Sequence, residues 1–174
     1  MPDVPASSPT AIDSHAHVFT RGLNLASERR YAPSYDALLG DYLGQLQRHG
    51  FSHGVLVQPS FLGTDNRYLL SALQTVPGQL RGVVMLEPDV ERAALDEMAR
   101  LGVRGVRLNL MGQALPDLRD RAWRPLLERI AEQGWHLELH RHVADIPALV
   151  RALEPYGLKI VVDHFGRPDA RPVS

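Results

Sequence analysis

Six short apolar runs, each followed by a longer segment, repeat along nearly the whole chain and constrain its fold more than any other feature. Residues 36–49 illustrate the longer segments: Leu39, Leu43 and Leu46 fall on one helical face, and Gly50 follows as a helix stop. Strict alternation of strands and helices predicts a parallel sheet with right-handed crossovers. The strands read as continuous apolar runs, so both faces of that sheet are expected to be covered.

The pattern also predicts where the elements lie. The predicted strands span residues 11–18, 54–58, 82–86, 103–110, 136–140 and 160–163. The predicted helices span residues 36–49, 65–76, 89–101 and 145–156, and a further helix ends at residue 133. No Gly-x-Gly-x-x-Gly motif follows the first strand, which disfavours a dinucleotide-binding fold. The sequence therefore predicts an α/β fold, a TIM-type (β/α)8 barrel truncated after about six βα units.

Length and composition limit the classes of partner. The 174 residues suit one domain, predicted as a flexible lead-in over residues 1–10 and six βα units over residues 11–174. A net charge of −1 provides no basic surface for nucleic acid or an anionic membrane, and no apolar run is long enough to span a membrane. The lead-in lacks a signal-peptide pattern, and the chain has no cysteine. We therefore expect a cytoplasmic protein that acts on a small molecule.

The first strand carries Asp13, His15 and His17 at a spacing of two residues. Strand side chains alternate between faces, so the three are predicted to point the same way. Two imidazoles at the end of a strand commonly hold a divalent metal or polarise a substrate carbonyl. The alternative is a pair of half-buried histidines beside a turn.

Later strands bring further polar side chains to their carboxyl ends, where both barrels and doubly wound sheets place active sites. These residues are Gln58, Ser60, Arg107, Asn109, Glu138, His140, His142 and His164. Such a set suits the hydrolysis of an acidic or polyhydroxylated substrate. Tyr31, in the loop after the first strand, is expected to fold over that substrate.

Structural roles compete with these assignments. Ser60 follows Pro59 and suits a helix or turn cap, Arg107 suits an ion pair between strands, and His142 suits a solvated loop. Three other histidines are predicted to be structural because they fall near helix ends or strand starts. They are His49, His53 and His136.

Several motifs together resemble the amidohydrolase superfamily. They are Asp13-Ser14-His15-Ala16-His17, Val57-Gln58-Pro59-Ser60, Gly63-Thr64-Asp65-Asn66, Gly105-Val106-Arg107-Leu108-Asn109 and Asp163-His164-Phe165-Gly166-Arg167-Pro168. The resemblance runs from about Thr10 to Pro168 and is greatest to the branch of the 2-pyrone-4,6-dicarboxylate and sugar lactonases.

This resemblance implies roles for individual residues. His15, His17 and His164 take the positions of the family's catalytic histidines. Ser60, Arg107 and Asn109 fall where the lactonases bind substrate carboxylates or hydroxyls, and Tyr31 is added to this substrate-binding set from its place in the loop. The family completes its site with a general-base aspartate at the end of an eighth strand. Six units do not supply that residue, so the 174 residues by themselves are expected to be an inactive fragment.

The resemblance also bears on metal. Binuclear members bridge two ions with a carboxylated lysine from the fourth strand, but Lys159, the only lysine, begins the sixth strand. A single zinc ion on His15, His17 and His140 stays open, as does the zinc-dependent decarboxylase activity that would use it. We favour a metal-free hydrolase that opens a lactone of a carboxylated or sugar-acid substrate, because an alkoxide leaves more easily than an amine.

Overall fold

The computed structural model describes residues 10–168, so the predicted lead-in lies outside the described residues except for Thr10. The described chain forms two compact units. The first unit contains residues up to 84 together with residues 100–103, and the second contains residues 85–99 together with those from 104 onward.

The first unit contains three parallel strands in chain order. They are β1 (Ile12–Ala16), β2 (His53–Val57) and β3 (Leu80–Val84). Two helices connect them, α1 (Leu39–Arg48) and α2 (Arg67–Thr75), and a short 3-10 helix spans Ser60–Leu62. Leu46 on α1 and Leu69 and Leu73 on α2 are buried, so each helix turns its apolar face inward.

A missing side chain lets α1 approach the sheet. Gly54 on β2 lies under the Tyr42 ring, and a Cβ at this position would come within 2.9 Å of Tyr42 Cζ. Burial and the nearby negative charge of Asp13 raise the pKa of Tyr42. Glycine is therefore required here for helix packing, not for an unusual backbone angle.

The second unit contains β4 (Val103–Asn109), β5 (His136–His140) and β6 (Lys159–Val162), again parallel and in chain order. Its helices are α3 (Arg92–Leu101), α4 (Arg124–Glu132) and α5 (Ile146–Leu153). The last two residues of α3 and the first residue of β4 belong to the first unit, which includes residues 100–103. Short 3-10 segments span Glu154–Tyr156 and Asp163–Gly166. Arg107 pairs in register with Glu138, and Asn109 with His140.

The predicted order of strands and helices is confirmed in both units, and β5 has the predicted bounds. The first helix begins later than predicted, at Leu39 instead of residue 36. The reason lies in the preceding loop. Asp36 accepts hydrogen bonds from Arg21, and Ala37 forms an antiparallel bridge with Phe19, so residues 36–38 cannot join the helix. Among the described residues, no helix is both long and apolar enough to cross a membrane.

Candidate active site

His15 and His17 lie together at the carboxyl end of β1, but Asp13 does not join them. Asp13 pairs with Gly54 and Ala16 pairs with Leu56, so three steps along β1 match two along β2. This irregularity is a β-bulge, which interrupts side-chain alternation. The Asp13 charge acts on Tyr42 of α1, and Asp13 Oδ1 accepts a 3.3 Å bond from the backbone N–H of His15. The rings of His15 and His17 meet edge to face with centroids 5.0 Å apart.

The ring of His17 is oriented by the neighbouring strand. Its Nδ1 lies 2.7 Å from the carbonyl oxygen of Val57, which can only accept, so Nδ1 carries a proton and donates it. In the neutral ring, Nε2 therefore bears the lone pair. His17 can bind a metal through Nε2, or it can donate from Nε2 to a developing oxyanion once the ring is protonated.

Ser60 and Tyr31 are linked through an aromatic cluster in the first unit. Tyr31 lies over Phe61, the residue after Ser60, with ring centroids 5.7 Å apart, and Phe61 also contacts Phe19 at 4.9 Å. A hydrogen bond with Tyr35 raises the pKa of Tyr31. Ser60 begins the short 3-10 helix, whose N-cap residue is Pro59, and no side chain caps that helix. Tyr31 is about half exposed, at 52%.

Gln58 at the end of β2 holds the loop that contains Ser60. Its side chain is fully buried, and its Nε2 donates to the carbonyl oxygens of Gly63 at 3.1 Å and Asp65 at 2.9 Å. These two bonds hold the loop that follows Ser60 against the end of β2. The sequence analysis placed Gln58 at a strand end but did not predict that it holds this loop. The feature that indicates the role is a buried amide next to a tight loop.

Arg107 lies in a buried ion-pair cluster in the second unit. Its Nε is 2.8 Å from Glu138 Oε1, and Nε and Nη2 both donate to Asp163 Oδ2. Arg107 Nη2 also lies 3.1 Å from His140 Nδ1. The ion-pair alternative considered for Arg107 is thus observed. Nη1 takes part in none of these contacts, so anion recognition by Arg107 stays a prediction. Glu138 was predicted only to lie at a strand end, and Asp163 only as part of a motif, and neither was assigned a role.

The cluster shifts the protonation of its members. Burial is the main cause that raises the pKa of Glu138 to about 7, since it outweighs the attraction of Arg107, and Asp163 raises it further. Burial also lowers the pKa of His140 to about 4, and the Arg107 guanidinium lowers it in the same direction. Near neutral pH, His140 is therefore an uncharged ring that accepts from Arg107 at Nδ1.

The raised pKa of Glu138 predicts a pH effect on stability. Between the unfolded value of 4.5 and the folded value of about 7, the folded protein binds a proton at Glu138 that the unfolded chain does not. Glu138 therefore adds stability as pH falls through this window, by up to about 3 kcal/mol. Glu138→Gln should remove that gain, so the variant should lose stability relative to wild type between pH 7 and pH 4.5. Urea unfolding at both pH values measures this difference.

Glu128→Gln serves as the matched control, because Glu128 forms an exposed pair with Arg124 on α4. Its stability relative to wild type should stay nearly constant over the same pH range. If Glu138→Gln behaves like this control, the buried carboxyl of Glu138 does not titrate as described.

Asn109 and His164 lie close to this cluster along the chain and in space. Asn109 is buried, and its Oδ1 accepts a 3.5 Å bond from the backbone of Met111. His164 follows β6, stacks obliquely on His140 with centroids 4.7 Å apart, and is about half exposed. The structure thus brings Arg107, His140 and His164 together in the second unit. That His164 shares one pocket with His15 and His17 stays a prediction.

The three histidines predicted to be structural lie at the expected elements. His49 ends α1, His53 begins β2 and bonds to Ser52 Oγ at 2.9 Å, and His136 begins β5. The His136 ring covers Gly105, and burial lowers its pKa. His142 is exposed beyond β5.

The proposed zinc ligands differ in how well they suit a metal. His17 suits a metal, because its Nδ1 donates to a backbone carbonyl, which places the lone pair of the neutral ring on Nε2. His140 fits poorly, because its Nδ1 accepts from Arg107 and the neutral ring then carries its proton on Nε2. A guanidinium 3.1 Å from the ring also opposes a second cation there.

Comparisons with known proteins agree on one family. A family model described as Amidohydrolase matches residues 12–173. A curated relative from Comamonas testosteroni, named 2-pyrone-4,6-dicarboxylate hydrolase, is 34% identical over 161 residues, which are 91% of this chain and 52% of the relative. The chain thus spans about half the length of the curated relatives it matches.

Solved structures show the same likeness. A Pseudomonas putida protein, provisionally assigned as a 2-pyrone-4,6-dicarboxylic acid hydrolase, is 85% identical with a TM-score of 0.86 over 93% of this chain and 59% of that one. An Acinetobacter baumannii protein with the same provisional assignment and bound citric acid is 39% identical, with a TM-score of 0.88 over 90% of this chain and 59% of that one. These matches confirm the predicted fold class.

A more distant solved structure bears on metal. A Burkholderia multivorans amidohydrolase with bound zinc is 16% identical, with a TM-score of 0.70 over 90% of this chain and 58% of that one. At this identity the likeness shows a shared fold alone. Zinc therefore occurs within this fold.

Proposed function

The chain belongs to the amidohydrolase family, and from this we propose that the protein is a hydrolase that opens a lactone bearing carboxylate groups. The observation that carries the proposal is its likeness to proteins named for 2-pyrone-4,6-dicarboxylate hydrolysis, at 34% and 85% identity. The motifs that carry the resemblance lie at the ends of β1, β2, β4 and β6. A substrate such as 2-pyrone-4,6-dicarboxylate fits this set of residues.

The proposed reaction is attack of water on the ester carbonyl, with departure of the ring oxygen as an alkoxide. His15, His17 and His164 are assigned to polarise the carbonyl and to stabilise the oxyanion. Because His17 uses Nδ1 on Val57, its contribution comes from Nε2 of the protonated ring. The water is activated by a general-base aspartate, which the resemblance puts at the end of an eighth strand, outside the six strands described here.

Substrate recognition is assigned to four residues. Ser60 and Tyr31 adjoin Phe61 in the first unit, and they are proposed to bind a carboxylate or hydroxyl. Arg107 and Asn109 at the end of β4 are proposed to bind a second carboxylate. Asp163 already compensates the charge of Arg107, so we expect Arg107 to bind the substrate through a directed hydrogen bond more than through net charge.

A zinc-dependent reaction is the second candidate, and it is favoured by the hydrogen bond of His17 Nδ1 to Val57, which places the lone pair of the neutral ring on Nε2. We give it second place because His140, its expected third ligand, is engaged by Arg107. Bound zinc would act as a Lewis acid on the carbonyl. The proposal also includes a cytoplasmic location, a small-molecule substrate and neither nucleic acid nor a membrane as a partner.

Turnover measured with and without a chelator separates the two candidates. We expect the protein, in a form that also supplies the eighth-strand aspartate, to hydrolyse 2-pyrone-4,6-dicarboxylate at a rate that is unchanged after prolonged treatment with EDTA and after added zinc. Every turnover measurement proposed below uses this form. Loss of activity with EDTA, restored by zinc, would instead establish the metal-dependent reaction. If that form is inactive towards dicarboxylate, sulfonated and sugar lactones alike, lactone hydrolysis is contradicted.

A further inference from the structure

Asp163 contacts more of the proposed site than any role assigned so far explains. It follows β6, and its carboxylate is buried, at 4% exposure. Oδ2 accepts from Nε of Arg107 at 3.2 Å and also from Nη2. Oδ1 lies 3.5 Å from Nε2 of His164. One carboxylate thus contacts both a substrate-binding candidate and a catalytic candidate.

The turn that begins at Asp163 has a strained backbone. His164, Phe165 and Arg167 have φ angles of 50°, 53° and 42°, in the left-handed region that residues with a Cβ adopt at a cost in free energy. Such conformations persist where surrounding contacts hold them. Phe165 is 94% exposed and contributes little packing. The strain therefore has to be balanced by contacts elsewhere in the turn.

The ion pair between Asp163 and Arg107 is well suited to this task. Arg107 is itself fixed, because β4 carries it and Glu138 on β5 contacts its Nε. An anchor on Arg107 therefore ties the first residue of the turn to two strands. The adjacent imidazole of His164 is then held between the Asp163 carboxylate and the ring of His140.

We propose that Asp163 is a positioning residue: its carboxylate binds Arg107 through Oδ2, closes the strained turn, and through Oδ1 sets the orientation of His164. The proposal rests on the proposed function only where it assigns His164 a part in catalysis. A purely structural ion pair would explain the contact with Arg107. It would not require the second oxygen to face the histidine.

Asp163→Asn is the sharpest variant, because it keeps the shape of the side chain and removes the charge. One of the two carboxylate oxygens is replaced by an amide NH2 group, whose N–H donors then face the N–H donors of Arg107 or of His164. Misplacement of a catalytic group by about 1 Å costs on the order of 100-fold in rate, so we expect kcat to fall by about 10- to 100-fold. The exposed carboxylate of Glu128, changed to glutamine, is the control.

A double-mutant cycle with His164→Asn then tests the route of the effect. If Asp163 acts through His164, the double variant should have the kcat of His164→Asn, whereas Glu128→Gln should leave kcat unchanged. Losses that multiply in the double variant would overturn the proposal, because Asp163 would then act independently of His164.

Histidine-selective 15N NMR gives a readout without activity. The His164 ring resonances should shift in Asp163→Asn and keep their positions in Glu128→Gln, and unchanged resonances in both would overturn the proposal. Asp163→Glu keeps the charge but lengthens the side chain, and it should also shift these resonances if Asp163→Asn does not fold. Absence of lactone turnover in wild type would contradict the proposed function, while the NMR comparison would still decide the role of Asp163.

Discussion

Arg107→Ala should destabilise the folded protein by about 3–5 kcal/mol, the usual cost when one partner of a buried ion pair is removed. The substitution would leave the Asp163 carboxylate buried without its cation, beside Glu138, whose pKa burial already raises to about 7. Both are only 4% exposed, so solvent cannot replace the guanidinium. Urea unfolding at pH 7, with the free energy extrapolated to water, measures the loss.

Arg124→Ala is the matched control, since Arg124 forms an exposed pair with Glu128 on α4. Its removal should cost less than about 1 kcal/mol, as for other surface ion pairs. If Arg107→Ala costs no more than Arg124→Ala, the cluster around Arg107 is not a stabilising element. Arg107→Lys keeps a charge in the cluster and allows the Michaelis constants for charged and neutral lactones to be compared in a folded protein.

His17→Asn should lower kcat/KM for a lactone substrate by about 100- to 1,000-fold, the loss seen when one donor to an oxyanion is removed. The histidine is oriented by Val57 through Nδ1, so its Nε2 is preorganised for this role. Asparagine can still bond to Val57 but cannot present a charged donor at the position of Nε2. Steady-state kinetics on the purified variant measures the effect.

His49→Asn controls for the loss of an imidazole, because His49 lies at the exposed end of α1. It should keep kcat/KM within about two-fold of wild type, as is usual for surface substitutions away from a site. A His17→Asn variant that is folded and retains near wild-type kcat/KM would remove His17 from the catalytic group.

Local patterns predicted the elements well. The bounds of β5 agree with the alternation of apolar residues, and α1 ends close to Gly50 as the stop signal indicates. The same reasoning failed at Asp13. A bulge in β1 depends on how that strand pairs with β2, and nothing in the order of residues 11–18 reveals an extra step. The late start of α1 likewise depends on Arg21, which lies 15 residues before Asp36.

The sequence by itself determined the order of strands and helices, the family resemblance and the collection of polar residues at strand ends. These follow from periodicities of about 2 and 3.6 residues, which act between near neighbours. Only the tertiary structure decided what each polar residue contacts. Arg107 and Asp163 are 56 positions apart, and Arg107 and His140 are 33 apart. Strand register and burial bring them together, and the low polarity of that interior makes Arg107 an internal ion-pair partner and His140 a neutral acceptor.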